Sequence, residues 1–262
     1  MKINILGSHG SDLLVKDGRR GHSCRSVGLL INDRLLLDAG TAASELTIEQ
    51  QQSLEHVLIS HYHLDHVKEL PSLADNLVTM IQRPLIVASV VPVLRGLKAH
   101  IFNEQIFPNF FRIPCPDDPV LQEYPLEPEK EIWISDLGIT PIPVNHSVPT
   151  VGFIIRDHRS AFVYSGDTYS TETIWSMAAK LPTLKAAFIE TSFPDEMGEL
   201  ARTTNHLTPA LLLREFQKIG NPALPIFAYH IKPPFRERTI EQLHHLGLPN
   251  LTILQEGQEL HL

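Results

Sequence analysis

The run HYHLDH at residues 61–66 constrains the fold of this chain more than any other feature. It follows an apolar, strand-like segment at residues 57–60, so three imidazoles and a carboxylate stand at the end of a buried strand. Polar side chains are costly to bury there unless something compensates them, and a divalent cation would do so. His61 and His63 leave an extended backbone on the same side, whereas the chain turns before Asp65 and His66. The run therefore predicts ligands for two neighbouring metal positions.

Three later residues each follow a short apolar run that is typical of a strand ending in a loop. They are His146, Asp167 and His230. With fourteen histidines in the chain, His146 or His230 alone would more often be a hydrogen-bonded loop or core residue than a ligand. The order and setting of the whole set favour a metal site, and they resemble the metallo-β-lactamase superfamily.

The resemblance implies two metals, each held by three side chains and both bridged by Asp167. The two sets are His61, His63 and His146 for the first metal and Asp65, His66 and His230 for the second. It also implies an α/β fold of the metallo-β-lactamase type, an αββα sandwich of two mixed β-sheets flanked by helices.

Strand-like and helical runs alternate along the 262 residues without a clear linker, so we expect one domain over residues 1–262. A helix is predicted over residues 65–81. Another begins near residue 208, with the Thr208 hydroxyl as its cap and Pro209 at its first position. The proline-rich, acidic residues 114–128 predict a surface loop or lid edge.

The composition limits the kinds of binding partner and the cellular compartment that we expect for this chain. A net charge of −8 argues against a protein that holds long nucleic acid. No apolar stretch approaches the ~18 residues of a membrane helix, and the first residues lack the pattern of a signal peptide. Two cysteines, Cys24 and Cys115, are too few for a disulfide framework. We therefore expect a cytoplasmic protein without membrane or long nucleic acid partners.

Further segments resemble the class II cyclic-nucleotide phosphodiesterases. They are IFN at residues 101–103, ETSF at 190–193, HLTP at 206–209 and HIKP at 230–233, together with HYHLDH itself. The resemblance implies hydrolysis of 3′,5′-cyclic AMP or GMP, with a small-molecule cyclic nucleotide as the partner. Glu69 and Asn205 depart from the small residue and the glycine that this family tends to have there. The loop at residues 7–10 is less glycine-rich than expected, and a basic insertion follows at residues 16–25. These departures leave the exact substrate open.

A phosphodiester resists hydrolysis because its negative charge repels nucleophiles and its alkoxide is a poor leaving group. Two metals about 3.5–4 Å apart could overcome both obstacles. A hydroxide bridging them would attack phosphorus. His206 is the candidate that protonates the leaving 3′-oxygen; alternatively it caps or hydrogen-bonds a helix start. Zinc is the first choice for the two divalent ions, with manganese or iron as alternatives.

For several other side chains the sequence suggests a functional role and an equally plain structural one. Asp65 could orient the attacking water as well as bind metal, or it could be a helix N-cap. Lys232 could pair with the substrate phosphate or be a solvated lysine. Glu190 could hydrogen-bond a metal-binding histidine from behind, or cap a loop. Asn103 could contact the base, as could Phe102 and Phe107, although aromatics at that spacing are more often core.

Alternatives within the superfamily remain open. A ribonuclease Z-like enzyme shares the ligands, but that branch usually inserts a basic arm between the segments of His146 and Asp167, which are close here. A glyoxalase II-type thioesterase would need a helical substrate domain after His230, where only about thirty residues stand. A non-catalytic binding protein would usually lack one of the ligands. The apolar segment at residues 102–111 would suit a homodimer interface.

Overall fold

Two seven-stranded sheets dominate the computed structural model, which describes residues 1–14, 23–80 and 82–262. In spatial order the first sheet contains β16 (Glu259–His261), β1 (Lys2–Gly7), β2 (Gly28–Ile31), β3 (Leu35–Leu37), β4 (His56–Leu58), β5 (Leu85–Val90) and β8 (Leu121–Leu126). The second contains β15 (Leu251–Ile253), β14 (Ile226–Tyr229), β13 (Leu184–Glu190), β12 (Ala161–Tyr164), β11 (Val151–Arg156), β10 (Leu137–Pro143) and β9 (Ile132–Ile134). A separate ribbon is formed by β6 (Pro114–Cys115) and β7 (Asp118–Pro119).

Both sheets are mixed in the same way. The four strands β16, β1, β2 and β3 pair antiparallel, and β3, β4, β5 and β8 pair parallel. In the second sheet β9 to β12 pair antiparallel and β12 to β15 pair parallel. The two halves of the chain thus repeat one pattern of strand pairing, although the sequence shows no repeat by eye.

Helices cover the outer faces of the sheets. They are α1 (Ile48–Ser53), α2 (Leu64–Val67), α3 (Leu70–Leu77), α4 (Val91–His100), α5 (Thr173–Ala178), α6 (Gly198–Thr204), α7 (Pro209–Gln217) and α8 (Arg236–His245). One apolar cluster joins the two sheets to α3 and α4, and a second packs Trp175 of α5, Leu212 of α7 and Leu243 of α8 on the second sheet. The predicted sandwich of two mixed sheets flanked by helices is confirmed. No helix within the described ranges is both long and apolar enough to cross a membrane.

Three local predictions were wrong. Residues 114–128 are not a loop, because they contain β6, β7 and the edge strand β8, whose polar middle gives no alternating pattern. The helix predicted over residues 65–81 is two helices, since Pro71 cannot continue a helix but suits the first turn of α3; residue 81 lies outside the described residues. Thr208 occupies the N-cap of α7 without a side-chain capping bond. Residues 16–22 of the basic insertion also lie outside the described residues.

The parallel halves of the sheets position the site. The carboxyl ends of β3 and β4 share one edge of the first sheet, and those of β12, β13 and β14 share one edge of the second. In open α/β sheets, ligands bind beyond such carboxyl ends. Most candidate ligands follow these parallel strands, namely residues 61–66 after β4, Asp167 after β12 and His230 after β14, whereas His146 follows the antiparallel strand β10.

Candidate metal centre

The HYHLDH run spans the turn from β4 into α2. His61 is fully buried three residues after β4 ends, and His63 occupies the N-cap of α2. Asp65 and His66 lie inside that helix. The alternative role of Asp65 as an N-cap is therefore wrong, because His63 holds that position.

A first group of nitrogens converges at the end of β4. His63 Nδ1 lies 3.1 Å from His61 Nε2 and 3.2 Å from His146 Nε2. A tetrahedral zinc with Zn–N bonds of about 2.0–2.1 Å would space its nitrogen ligands about 3.3–3.4 Å apart. The spacing of these three nitrogens is close to what one metal ion requires.

The hydrogen bonds behind this group fix where its protons lie. His146 Nδ1 is 3.0 Å from the carbonyl oxygen of Asn205, which can only accept, so Nδ1 donates and Nε2 keeps its lone pair. His61 Nδ1 is 3.0 Å from Ser60 Oγ, whose own proton goes to a carboxylate 2.8 Å away. Two bare Nε2 atoms therefore face His63 Nδ1, where one proton could satisfy only one of them. A cation among the three nitrogens would satisfy all of them.

A second group lies beside the first, with Asp167 between them. His66 Nε2 is 3.1 Å from His230 Nε2, which is 3.4 Å from Asp65 Oδ2. Asp167 Oδ1 is 3.3 Å from His66 Nε2, and its Oδ2 is 3.2 Å from His230 Nε2 and 3.7 Å from His61 Nε2. The seven predicted ligands thus lie together, in the two groups that the resemblance implies.

The carboxylate of Asp167 supports a cation at this position. It is buried, and its Oδ1 accepts no well-aligned hydrogen bond from a described residue, although His66 Nε2 lies 3.3 Å away. A buried carboxylate oxygen without a donor is costly, and a bound cation removes that cost. The residues present therefore fit a divalent metal site.

The pKa values of the histidines agree with metal binding. Burial lowers the pKa of His146 to about 4 and that of His230 to about 3, although Asp167 opposes both shifts. Both rings are thus neutral near pH 7, which is the form that binds metal. Burial also acts to lower the pKa of His66, but the Asp167 and Asp38 carboxylates outweigh it and raise that pKa well above its usual value. His66 without a cation keeps a proton that a metal would replace.

Asp38 is a residue that the sequence analysis missed. It follows β3, is fully buried, and accepts hydrogen bonds from His66 Nδ1 at 2.8 Å and Tyr164 OH at 2.7 Å. The Ser60 backbone N–H and hydroxyl donate to it at 2.7 and 2.8 Å. Asp38 therefore orients His66 and ties the first sheet to the second. Its signal was a lone aspartate after an apolar run, the same setting that drew attention to Asp167.

The backbone around His230 is strained and tightly enclosed. His230 has a left-handed φ of 69°, and its N–H donates to the Ser8 carbonyl oxygen at 2.6 Å. A Cβ on Gly10 would come within 2.8 Å of the His230 ring, so only glycine fits there. Non-glycine residues in this region cost about 1–3 kcal/mol and cluster at functional sites. The loop at residues 7–10 thus forms the back wall of the second group.

His206 and Glu190 lie next to the ligands. Glu190 Oε1 is 2.8 Å from His206 Nδ1 and accepts from the Leu207 N–H at 3.2 Å. Ser192 Oγ donates to Glu190 Oε2 at 3.2 Å and lies 2.9 Å from His230 Nδ1. Glu190 therefore contacts His206 directly and reaches the candidate ligand His230 only through Ser192.

The pKa values of Glu190 and His206 are both raised, but by different causes. Burial raises the pKa of the Glu190 carboxyl group. Burial also acts to lower the pKa of His206, but the adjacent Glu190 carboxylate reverses that shift, and the pKa of His206 is raised. His206 Nε2 forms no hydrogen bond with a described residue, so this side of the ring is available to a ligand.

A cleft of about 550 Å³ opens beside the second group. Its described lining includes Leu64, Asp65, Lys68, Phe193, Lys232 and Phe235. Lys232 Nζ lies 3.1 Å from Asp65 Oδ2 and 2.6 Å from the Gly10 carbonyl oxygen.

Asn103 is not among the described lining residues of this cleft. Its side chain bonds the Ala99 carbonyl and the Gln105 and Ile106 N–H groups, so it stabilises the turn after α4.

Comparisons with known proteins agree with this geometry. A curated relative from Yersinia pestis, described as a probable 3′,5′-cyclic-nucleotide phosphodiesterase, is 29% identical over 214 residues. The match covers 71% of this chain and 60% of the relative, so the chain spans about three fifths of that protein's length.

Solved structures share the fold over the whole chain. Unliganded yeast PDE1 superposes with a TM-score of 0.80 at 18% identity, covering 100% of this chain and 99% of that one. The metallo-β-lactamase fold protein YhfI from Bacillus subtilis gives 0.77 at 16% identity, covering 99% of each chain. The short form of human tRNase Z gives 0.68 at 14% identity, covering 100% of this chain and 99% of that one.

A family model described as the beta-lactamase superfamily domain matches residues 33–231, which run from just before β3 to just after His230 and include all seven candidate ligands. The strand pairing, the converging histidines and this match together show that the chain belongs to the β-lactamase superfamily and has the metallo-β-lactamase fold.

Proposed function

We propose that this chain is a dinuclear metal-dependent phosphodiesterase that hydrolyses 3′,5′-cyclic nucleotides, cAMP or cGMP, to 5′-nucleotides. The observation that carries the proposal is that the seven candidate ligands lie together in two groups with Asp167 between them, and that the Glu190–His206 pair lies beside them. The printed description of the Yersinia pestis relative and the likeness to yeast PDE1 support the same substrate class.

The candidate ligands divide between two divalent ions. His61, His63 and His146 would hold one, and Asp65, His66 and His230 the other, with Asp167 shared. Zinc suits this histidine-rich set best, and manganese or iron also bind mixed imidazole and carboxylate ligands. When bound, such ions activate water as a nucleophile and neutralise charge on the phosphate.

His206 is the proposed general acid. Its Nδ1 is held by Glu190, which keeps Nε2 directed away from that carboxylate and stabilises the protonated ring. Protonated His206 would give its proton to the departing 3′-oxygen. Glu190 acts through His206 as a positioning residue.

Asp65 and Lys232 are proposed to act at the mouth of the same site. Asp65, besides binding metal, would accept a hydrogen bond from the attacking water and orient it. Lys232 already contacts Asp65 and lines the cleft, so its ammonium group is in place to pair with a phosphate oxygen.

The ribonuclease Z-like alternative receives less support. Residues 147–166, between the segments of His146 and Asp167, form only the β11–β12 hairpin and its flanking turns, with no inserted arm. The net charge of −8 is also unfavourable for holding a long RNA.

Product analysis tests the proposal. Metal-loaded protein is incubated with cAMP and cGMP, and products are separated chromatographically. We expect 5′-nucleotides, a loss of about 100-fold or more in His63→Ala, and no turnover after chelation. His158→Ala, which removes an exposed histidine in the β11–β12 turn, should behave as wild type. If the protein binds two metals but hydrolyses neither cyclic nucleotide, the substrate is another phosphodiester. If the protein binds no metal, the site assignment is overturned.

Two further expectations remain proposals. A cytoplasmic setting is supported by two unpaired cysteines, buried Cys24 and exposed Cys115. For a homodimer through residues 102–111, Phe102 and Phe110 are buried in the core, whereas Ile106 is a large apolar side chain that is 70% exposed and could contact a partner. A light-scattering mass that stays monomeric as concentration rises would contradict the dimer.

A further inference from the structure

The cleft beside Asp65 changes from polar to apolar over one short segment. His230 belongs to the second ligand group, and Lys232, two residues later, contacts the Asp65 carboxylate at 3.1 Å. The chain then enters the 3₁₀ turn Pro233–Phe235, which lines the same cleft. A ligand that reaches from the metal centre along this segment would meet charge first and an aromatic ring next.

Two phenylalanines form the apolar end. The rings of Phe193 and Phe235 have centroids 5.8 Å apart at an angle of 48°, and Phe193 also contacts the His206 ring edge-on at 5.8 Å. Phe193 is buried, whereas Phe235 is half-buried and lines the cleft. Phe193 therefore supports Phe235 from behind and links its position to that of the proposed general acid.

Leu64 adds a second apolar surface to this cleft. It is 67% exposed although its neighbours His63 and Asp65 are candidate ligands. Single exposed leucines are ordinary, but this one shares a concave site with two aromatic rings. The cleft also contains the charged side chains of Asp12, Asp65, Lys68 and Lys232, so its wall combines an apolar part with a charged part. Concave sites with apolar walls and placed polar groups are typical of small-molecule binding.

We infer that Phe235, supported by Phe193, is the stacking platform for the nucleobase. The inference rests on the proposed function and deepens it. A cyclic nucleotide carries an anionic phosphate on one side of its ribose and a flat base on the other, which matches the two ends of the cleft. Stacking does not read the hydrogen-bonding edge of a base, so this platform accepts both adenine and guanine.

The platform replaces the base contacts expected near residues 102–107. Phe102 is 1% exposed and packs edge-on against Phe107 and Phe111 in the core. Neither Phe102 nor Phe107 is among the described residues that line the cleft. Phe107 therefore provides a matched control aromatic.

Equilibrium binding tests the platform independently of turnover. Calorimetry on metal-loaded protein compares adenosine 5′-monophosphate with ribose 5-phosphate, which lacks the base. Wild type should bind the nucleotide about tenfold or more tightly than the sugar phosphate. Phe235→Ala and Phe235→Leu should remove that difference while binding of ribose 5-phosphate changes by less than about twofold, and Phe235→Tyr should keep it.

The controls separate this inference from the proposed function. Phe107→Ala should keep the preference for the nucleotide, and thermal unfolding of each variant checks its folding. An unchanged preference in both Phe235→Ala and Phe235→Leu, or an equal loss for both ligands, would overturn the platform. If wild type turns over cAMP in that case, the proposed function survives alone. If wild type turns over neither cyclic nucleotide but its preference depends on Phe235, the platform survives without the activity.

Discussion

The ligand cluster and the cleft beside it are adjacent but are built differently. In the cluster each imidazole that converges on Asp167 is held from behind through its other ring nitrogen, except His63. The groups behind the rings belong to Ser60, Asp38, Ser192 and Asn205. In the cleft, Leu64 projects into solvent and Lys232 keeps a partly exposed ion pair. The fold therefore fixes the candidate metal ligands through buried hydrogen bonds, whereas the cleft side chains Leu64 and Lys232 remain partly or largely exposed.

Backbone conformation shows the same contrast. Three non-glycine residues with left-handed φ surround the ligands, namely Asp38 at 56°, Asn205 at 56° and His230 at 69°. None of Leu64, Phe193, Lys232 and Phe235 has a positive φ. Such conformations persist only where surrounding contacts enforce them. Substitutions in the cluster should therefore affect folding and metal binding together, and those in the cleft only ligand binding.

The largest effect is expected at Asp38. Asp38→Ala leaves the Ser60 N–H and the Tyr164 hydroxyl without an acceptor, and each buried unsatisfied group costs about 1–3 kcal/mol. His66 also loses the carboxylate that orients it, which should weaken metal binding by about 10–100-fold. Chemical denaturation and metal titration measure the two losses.

Asp38→Asn is the matched control for that variant. Asparagine tolerates left-handed φ and keeps one acceptor oxygen, so it should recover much of the stability but less of the metal affinity. Wild-type metal affinity in Asp38→Ala would contradict the assignment of Asp38 as the residue that orients His66.

Glu190→Gln tests the border between cluster and cleft. Glutamine can still accept from His206 Nδ1, but it cannot stabilise the protonated ring by charge. We expect kcat to fall about 100-fold, while KM and metal content change less than about twofold. A double variant with His206→Ala should be no slower than His206→Ala alone, since both act on one proton transfer. Loss of metal in Glu190→Gln would instead make Glu190 part of the metal-binding structure.

Lys232→Met tests whether Lys232 acts in ligand binding in the cleft or in the metal-ligand cluster. Methionine keeps much of the length but removes the charge that contacts Asp65. As a cleft residue Lys232 should give a KM increase of about tenfold, with kcat and metal content close to wild type. Steady-state kinetics and metal analysis distinguish this from a role in restraining Asp65, which would lower the metal content.

The candidate ligands could be predicted from sequence because their signal is local. HYHLDH sits within six residues, and His146, Asp167 and His230 each follow an apolar run, in an order that resembles the metal motifs of the superfamily. The two mixed sheets followed from the family resemblance, and the structure confirms them. The edge strand β8 was not predicted because its exposed residues 122–125 have no alternating pattern of polar and apolar side chains. They also include a proline, which is tolerated in an edge strand.

The parts that could not be predicted depend on contacts distant in sequence. Asp38 matters because β3 pairs parallel with β4 and because Tyr164 reaches it from the other sheet. Phe235 gains its position from Phe193, 42 residues earlier, and from the turn after Lys232. Glu69, a departure from the family pattern, accepts from the Ala42 and Ser44 N–H groups and so anchors a neighbouring loop.

Asn205, the other departure, supports the smallest prediction. Its φ of 56° ends α6 in a left-handed conformation that glycine also adopts freely, and its carbonyl oxygen, not its side chain, bonds His146. Asn205→Gly should therefore keep full metal content and change stability by no more than about 0.5 kcal/mol. Asn205→Val should lose about 1–2 kcal/mol in denaturant unfolding, because a β-branched side chain opposes this φ. Metal loss in Asn205→Gly would show that the asparagine side chain itself supports the cluster.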